Sequence, residues 1–186
     1  AALNTSFVEV LAAEDGIEYV KEAVNGTSMV DRDGMGLSYI KRIKMIDPEY
    51  PADAFVCQLS TNDATQHFEL GQVGDSKDID SFDKLTIIGA MEYLIAYIKQ
   101  TWNCPVVFYT GTKFLDPLYE QMVGALLELQ KKWDIHVIDL WNDEEMNAET
   151  DENYDLYMND PIHPTKAGYI KWWTPKIRKA LIEILL

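Results

Sequence analysis

Three short runs of apolar residues, separated by longer amphipathic segments, restrict the folds open to this chain more than any other feature. The runs are Ala54–Leu59, Cys104–Tyr109 and Ile135–Leu140. Continuous apolar runs of this length are typical of strands that are buried on both faces. Their alternation with helical segments predicts an α/β fold with a parallel sheet.

The segments between and around these runs show helical periodicity. Helices are predicted over Met35–Ile46, Phe82–Trp102 and Asp116–Trp133, and a terminal helix is predicted from an N-cap at Thr165 to Leu186, kinked or broken at Pro175. No internal repeat accompanies this pattern. The 186 residues therefore read as one domain, residues 1–186.

The first 26 residues predict a helix, a strand and a turn. Leu3, Phe7, Val10 and Leu11 share one helical face, and Gly16 follows as a C-cap. Ile17–Ala23 predicts a short strand. Asn25-Gly26 then gives a turn signal.

Composition excludes several classes of partner. Asp and Glu outnumber Lys and Arg by 31 to 16, and the resulting net charge of −15 disfavours nucleic acid and acidic membrane surfaces. No apolar run is long enough to span a bilayer. Cys57 and Cys104 are isolated within apolar runs, which favours buried thiols over a disulfide scaffold. No basic signal-peptide region is visible, which favours the cytoplasm, but the chain does not open on Met and the compartment stays open, as does the oligomeric state.

Three polar clusters follow predicted strands or precede the last helix. They are Asn25-Gly26, the run Ser60-Thr61-Asn62-Asp63, and the run Asp160-Pro161-Ile162-His163-Pro164. Each has a structural explanation as a turn or a capped loop. Function in parallel sheets nevertheless gathers at the carboxyl ends of the strands, so the clusters can converge on one site.

The cluster residues suit acyl-transfer chemistry. Asp160 lies three residues before His163, close enough for its carboxylate to orient the imidazole and stabilise the imidazolium. The Asn62 amide and the backbone N–H of Gly26 are neutral donors that suit a developing oxyanion. The constellation lacks a nucleophile.

These residues resemble the blocks of the SGNH (GDSL-type) esterases and lipases. Gly26 in VNGTSMV is similar to the second-block glycine, and Asn62 in STND to the third-block asparagine, although Ser60 stands where that block normally has glycine. The last block, Asp-x-x-His-Pro, is matched in full by Asp160, His163 and Pro164.

The resemblance implies a flavodoxin-like three-layer α/β/α sandwich and a serine-type hydrolase of small or medium acyl esters. It implies His163 as general base, Asp160 as its orienter, Gly26 and Asn62 as oxyanion donors, a small-molecule ester as the partner, and no cofactor. A metal is not expected either, because His67, His136 and His163 are far apart in sequence. The segment Ala64–Ser81 is predicted to form a rim or lid, and the candidate rim residues are Ser60, Asp63, His67 and Phe68.

The family's first block, Gly-Asp-Ser, is missing from its expected place. The serine and the strand that carries it are therefore expected upstream of Ala1. Gly74-Asp75-Ser76 spells the motif but lies in a polar loop with no preceding strand, and we interpret it as a coincidence. The missing block leaves alternatives open: a catalytically inactive flavodoxin-like binding domain, or a thioesterase or carbohydrate acetylesterase on the same fold.

Overall fold

The structure is a computed structural model that describes residues 5–32, 36–148 and 151–186. Chain contacts divide it into two compact units. The larger comprises Glu22–Thr110 and Leu115–Val137, and the smaller comprises Ala1–Lys21, Gly111–Phe114 and Ile138–Leu186. Nothing in this division tests the single-domain prediction. No helix among the described residues is long and apolar enough to cross a membrane.

The larger unit is built on a parallel pair of strands. Strands β1 (Phe55–Gln58) and β2 (Val106–Tyr109) pair in parallel, with Phe55 opposite Val106, and β3 (His136–Ile138) follows β2 in the order β1-β2-β3. All three predicted strands are present, each shorter than its apolar run. Together with the helices between them, they confirm the α/β class.

Strand β2 is more deeply buried than strand β1. Val106, Val107 and Phe108 of β2 are almost completely buried, whereas β1 buries Cys57 and leaves its other residues half-buried. Both cysteines are free and buried, as predicted. The most apolar run therefore became the central strand, where both faces and both edges are covered.

The described part of the larger unit contains four α-helices. They are α2 (Tyr39–Ile43), α3 (Thr61–Thr65), α4 (Ile87–Thr101) and α5 (Pro117–Trp133), with one 3₁₀ turn at Ile79–Ser81. All but α3 begin at a side-chain cap. The Asp116 carboxylate accepts hydrogen bonds from the amides of Leu118 and Tyr119 at 2.9 and 3.0 Å, and Pro117 occupies the first turn of α5. This start agrees with the predicted one because the sequence carries both an N-cap and a first-turn proline.

Two helices are shorter than predicted. Helix α4 begins after Thr86 rather than at Phe82. The Thr86 hydroxyl caps the Gly89 amide, and the carbonyls of Glu69 and Leu70 accept the hydrogen bonds of the Ile87 and Ile88 amides. Helix α2 begins after Ser38, whose hydroxyl caps the Lys41 amide; the predicted start at Met35 lies outside the described residues. A local cap at Thr86 and tertiary partners for the first two amides, neither of which periodicity encodes, together set the start of α4.

The predicted strand Ile17–Ala23 is wrong. The segment has no regular secondary structure, and Ile17, Tyr19 and Val20 are exposed to between 41 and 48%. A strand needs a partner for its N–H and C=O groups, and within the described residues this segment pairs with none. Its apolar content alone therefore did not produce a strand.

The smaller unit is helical in its described part. It contains α1 (Phe7–Asp15), α6 (Asp151–Tyr157), α7 (Lys166–Gly168), a π-helical turn (Tyr169–Trp173) and α8 (Thr174–Leu185). Helix α1 ends at Gly16 in the left-handed conformation (φ 72°), as predicted; Leu3 lies outside the described residues. Arg178 of α8 pairs with Glu14 and Asp15 at the end of α1.

The terminal helical segment begins and breaks where the sequence predicts. The Thr165 hydroxyl caps the Gly168 amide at 3.0 Å. Regular α-helical bonding is interrupted over Tyr169–Trp173, directly before Pro175, which then lies in the first turn of α8. Proline is tolerated there because the first turn of a helix has no acceptor for its missing N–H.

Candidate active site

Asp160 and His163 form a close pair in the smaller unit. The imidazole Nδ1 lies 2.8 Å from Asp160 Oδ2 and 2.9 Å from Oδ1. Both side chains are solvent-accessible, with 59% of His163 and 48% of Asp160 exposed. Because a carboxylate only accepts, Nδ1 carries the proton in this pair and Nε2 is the nitrogen available for proton transfer.

The turn itself prepares the Asp160 carboxylate. Oδ1 accepts hydrogen bonds from the amides of Ile162 and His163, both at 2.8 Å. Partial burial raises the pKa of Asp160, but these two amides and the imidazole outweigh it and hold the pKa below its usual value. The carboxylate is therefore ionised over the pH range in which an imidazole titrates.

Backbone contacts hold this turn in place. The Asn159 amide donates to the His163 carbonyl at 2.8 Å, and Met158 forms an isolated antiparallel bridge with Pro164. A Cβ at Gly168 would lie 2.1 Å from the Tyr157 carbonyl oxygen, so this close approach of α6 and α7 requires glycine. The turn that carries His163 is thus fixed between two helices.

Gly26 and Asn62 both lie in the larger unit, and the Asn62 side chain contacts the residue that follows Gly26. Gly26 occupies the predicted turn with φ 78°, is exposed, and donates its N–H to none of the described residues. The Asn62 side chain, on α3, donates from Nδ2 to the Thr27 carbonyl at 2.8 Å. Because that carbonyl can only accept, the contact fixes which end of the amide is NH₂ and leaves its second N–H for another acceptor.

Asp63 is the residue whose role the sequence did not reveal. It is 0% exposed, and its carboxylate accepts hydrogen bonds from the amides of Met29 at 2.8 Å and Val30 at 3.0 Å. Burial raises the pKa of Asp63, and the hydrogen bonds only partly oppose it. The sequence offered one signal, an aspartate directly after Asn62 at a strand end, and it was interpreted as a rim residue.

The candidate rim residues divide by exposure. His67 is exposed, with a left-handed φ of 54°, whereas Ser60, Asp63 and Phe68 are buried. The Arg32 guanidinium lies over the Phe68 ring at 4.6 Å. For the three buried residues a rim role stays a prediction that their exposure does not support.

The structure thus brings together two pairs, Asp160 with His163 in the smaller unit and Asn62 with the segment that follows Gly26 in the larger one. Gly74-Asp75-Ser76 lies in a loop that no strand precedes directly, as the sequence indicated. These three residues line a surface cavity of about 530 Å³ in the larger unit.

Solved structures share this fold. A protein from Lactobacillus plantarum superposes with a TM-score of 0.80 at 20% identity, over 98% of this chain and 89% of that one. Two proteins described as GDSL-like lipases, from Bacteroides ovatus and Bacteroides uniformis, each give a TM-score of 0.70 over 98% of this chain, at 14 and 15% identity, covering 80 and 78% of their own chains. At these identities the likeness shows the fold alone.

Sequence comparison identifies the family. No curated protein matches the chain in sequence. The model of the GDSL-like Lipase/Acylhydrolase family matches residues 2–170, which include Gly26, Asn62, Asp160 and His163. Members of this family have a flavodoxin-like three-layer fold. The chain belongs to the GDSL-like Lipase/Acylhydrolase family.

Proposed function

We propose that this protein is a serine-type hydrolase of small or medium acyl esters, with His163 as its general base. Membership of the family supports a hydrolase of ester substrates. The observation that carries the finer proposal is the contact of His163 Nδ1 with both carboxylate oxygens of Asp160. A solvated histidine needs no such partner, whereas a triad base does, because Asp160 selects the tautomer that leaves Nε2 unprotonated.

The chemistry assigned to His163 is a proton relay. Nε2 takes the proton of a serine hydroxyl as its oxygen attacks the ester carbonyl carbon, and the imidazolium then protonates the departing alkoxide. Water repeats the sequence on the acyl-enzyme and releases the acid. Asp160 stays ionised throughout and stabilises the imidazolium, consistent with its lowered pKa.

Gly26 and Asn62 are proposed as the oxyanion donors. The Gly26 N–H donates to none of the described residues, and the Asn62 amide keeps one N–H beyond the one bound to Thr27. Both donors are uncharged and held in place before the substrate binds, which is the arrangement that stabilises a tetrahedral oxyanion. Loss of one such donor lowers kcat by about 10²- to 10³-fold.

The nucleophilic serine remains a prediction. The resemblance assigns it to a Gly-Asp-Ser block, and Gly74-Asp75-Ser76 is interpreted as a coincidence. Within its own loop, Ser76 accepts a hydrogen bond from the Asp78 amide and shares another with the Ser81 hydroxyl. Ser76→Ala is therefore expected to leave ester hydrolysis unchanged.

The test is hydrolysis of p-nitrophenyl acetate and butyrate by the full-length protein and its histidine variants. His163→Ala is expected to lower kcat by about 10⁴-fold or more, because the base is lost. His136→Ala replaces another exposed histidine and is expected to retain full activity. Since His163 is more than half exposed, its variant should keep the melting temperature of the parent.

Turnover retained in His163→Ala would contradict its role as base. Absence of hydrolysis in the parent protein, on these esters and on acyl-thioester and acetylated-sugar substrates, would favour the binding domain that the sequence left open.

A further inference from the structure

A buried carboxylate without a basic partner lies next to a proposed oxyanion donor. Asp63 is fully buried, and its hydrogen-bonding partners among the described residues include the backbone amides of Met29 and Val30, with no lysine or arginine. A buried ionisable side chain is costly to keep without a charge partner. The two amide hydrogen bonds that Asp63 accepts beside Asn62 are contacts that an apolar side chain could not make.

The two Asp63 oxygens hold the chain that follows Gly26. Oδ2 binds the Met29 amide and Oδ1 binds the Val30 amide, across 34 and 33 residues of sequence respectively. The neighbouring Asn62 binds the Thr27 carbonyl. Asn62 and Asp63, which are consecutive residues of α3, therefore bind the segment Gly26–Val30 at two places.

Two further hydrogen bonds hold the same segment in place. The Ser28 hydroxyl donates to the Val30 carbonyl at 3.0 Å, and the Ser28 carbonyl accepts from the Tyr39 amide at 2.8 Å at the start of α2. Ser28, Met29 and Val30 are all buried, whereas Gly26 remains exposed. The buried half of the segment thus anchors the exposed residue that presents its N–H.

We propose that Asp63 is a positioning residue, whose carboxyl group fixes the segment Gly26–Val30 against α3 and so sets the spacing between the Gly26 N–H and the Asn62 amide. The inference rests on the proposed function, because it assumes that these two groups bind the oxyanion. Asp63 acts through them and does not itself contact the substrate.

The chemistry of the site explains why a carboxylate is needed. Two N–H donors point at two oxygens, and a carboxyl group offers an oxygen acceptor to both. Asparagine would accept one hydrogen bond and turn its own NH₂ towards the second donor. Asp63→Asn therefore keeps the volume of the side chain but loses one of the two hydrogen bonds to the amides of Met29 and Val30.

The first test compares Asp63→Asn with a carboxylate variant elsewhere in the same unit. Asp63→Asn is expected to lower kcat on p-nitrophenyl acetate by about 10- to 100-fold with KM little changed, because a displaced donor acts mainly in the transition state. Asp116 likewise accepts two amides, those of Leu118 and Tyr119, but holds the start of α5. Asp116→Ala should lower the melting temperature and leave kcat unchanged.

A double-mutant cycle separates positioning from general damage. In an Asn62→Ala background, where one proposed donor is already absent, Asp63→Asn should lower kcat by no more than about threefold further, since coupled residues are not additive. Equal fold-losses in both backgrounds would overturn the proposal, because they would show that Asp63 acts independently of the oxyanion donors.

Hydrogen exchange on the parent protein keeps the proposal testable if Asp63→Asn does not fold. The Met29 and Val30 amides should be protected to the level of the β2 core, and the Gly26 amide should exchange freely. Fast exchange at Met29 and Val30 would overturn the proposal. An inactive parent protein with these amides protected would contradict the proposed function while leaving the Asp63 clamp intact.

Discussion

Asp160 and Asp63 each accept hydrogen bonds from two backbone amides, but Asp160 is accessible to solvent and Asp63 is buried. Asp160 accepts the amides of Ile162 and His163, two and three residues ahead of it, and is half exposed. Asp63 accepts the amides of Met29 and Val30, more than thirty residues behind it, and is fully buried. Desolvation outweighs the hydrogen bonds at Asp63 and raises its pKa, whereas at Asp160 the hydrogen bonds prevail and lower it.

The difference shows what each carboxylate can contribute. Asp160 stays ionised at little cost, because water screens it, and it can serve an imidazole that gains and loses charge during turnover. Asp63 is costly to ionise but joins two segments that are distant in sequence. One suits a catalytic role and the other a positioning role, and the following changes should separate them.

The largest expected effect comes from the exposed aspartate. Asp160→Asn should lower kcat by about 10³- to 10⁴-fold, as it does in serine-protease triads, because an amide no longer holds the correct imidazole tautomer. Unfolding in urea should change by less than about 0.5 kcal/mol, since the side chain is half exposed. A large stability loss with activity retained would reverse the roles assigned to the two aspartates.

Removing the Asp63 carboxylate should lower the stability of the protein more than removing that of Asp160. Asp63→Ala leaves the Met29 and Val30 amides buried without acceptors and should lower the free energy of unfolding by about 2–3 kcal/mol at neutral pH. Urea denaturation followed by circular dichroism measures this loss. A change within about 0.5 kcal/mol would mean that the two amides find other acceptors and that the clamp is dispensable.

The pH dependence of stability should differ in sign between the two sites. The lowered pKa of Asp160 means that it contributes stability above its unfolded pKa, which is lost as pH falls through the folded value. The raised pKa of Asp63 means that its contribution is full below the unfolded pKa and declines as pH rises through the folded one.

Urea midpoints of the parent, Asp160→Ala and Asp63→Ala between about pH 3 and 7 would test this contrast, since the unfolded pKa of Asp is about 3.9. The destabilisation caused by Asp160→Ala should grow as pH rises, and that caused by Asp63→Ala should shrink. Parallel curves for the two variants would contradict the assigned environments.

The smallest effect is expected at Gly26. A Cβ there meets nothing within 4 Å, so Gly26→Ala introduces no clash, but φ of 78° should cost about 1 kcal/mol for a residue with a side chain. Gly124 also has open space but lies inside α5, so Gly124→Ala should stabilise by about 1 kcal/mol. Thermal melts that show equal shifts for both variants would remove the argument for a strained turn.

Apart from the three apolar strands, the features that the sequence predicted depend on nearby residues. Asp116 with Pro117, Gly16 and Thr165 marked helix ends through their own side chains or backbone freedom, and Asp160 with His163 formed a pair within one turn. Each requires only contacts a few residues apart, so spacing alone identifies it.

The features that were missed depend on partners distant in sequence. The first two amides of α4 bind the carbonyls of Glu69 and Leu70, and the role of Asp63 depends on amides in the segment after Gly26. Ile17–Ala23 has the composition of a strand but pairs with no strand in the described part of the chain. Composition cannot report a partner, so these positions could be read only from the structure.

The most direct test of His163 as the base of a serine hydrolase is fluorophosphonate labelling of the full-length protein, mapped by peptide mass spectrometry. The account predicts that one serine is labelled in the parent and in His136→Ala, and that His163→Ala shows no labelling in the same time. Equal labelling of His163→Ala, or no labelled serine in the parent, would contradict it.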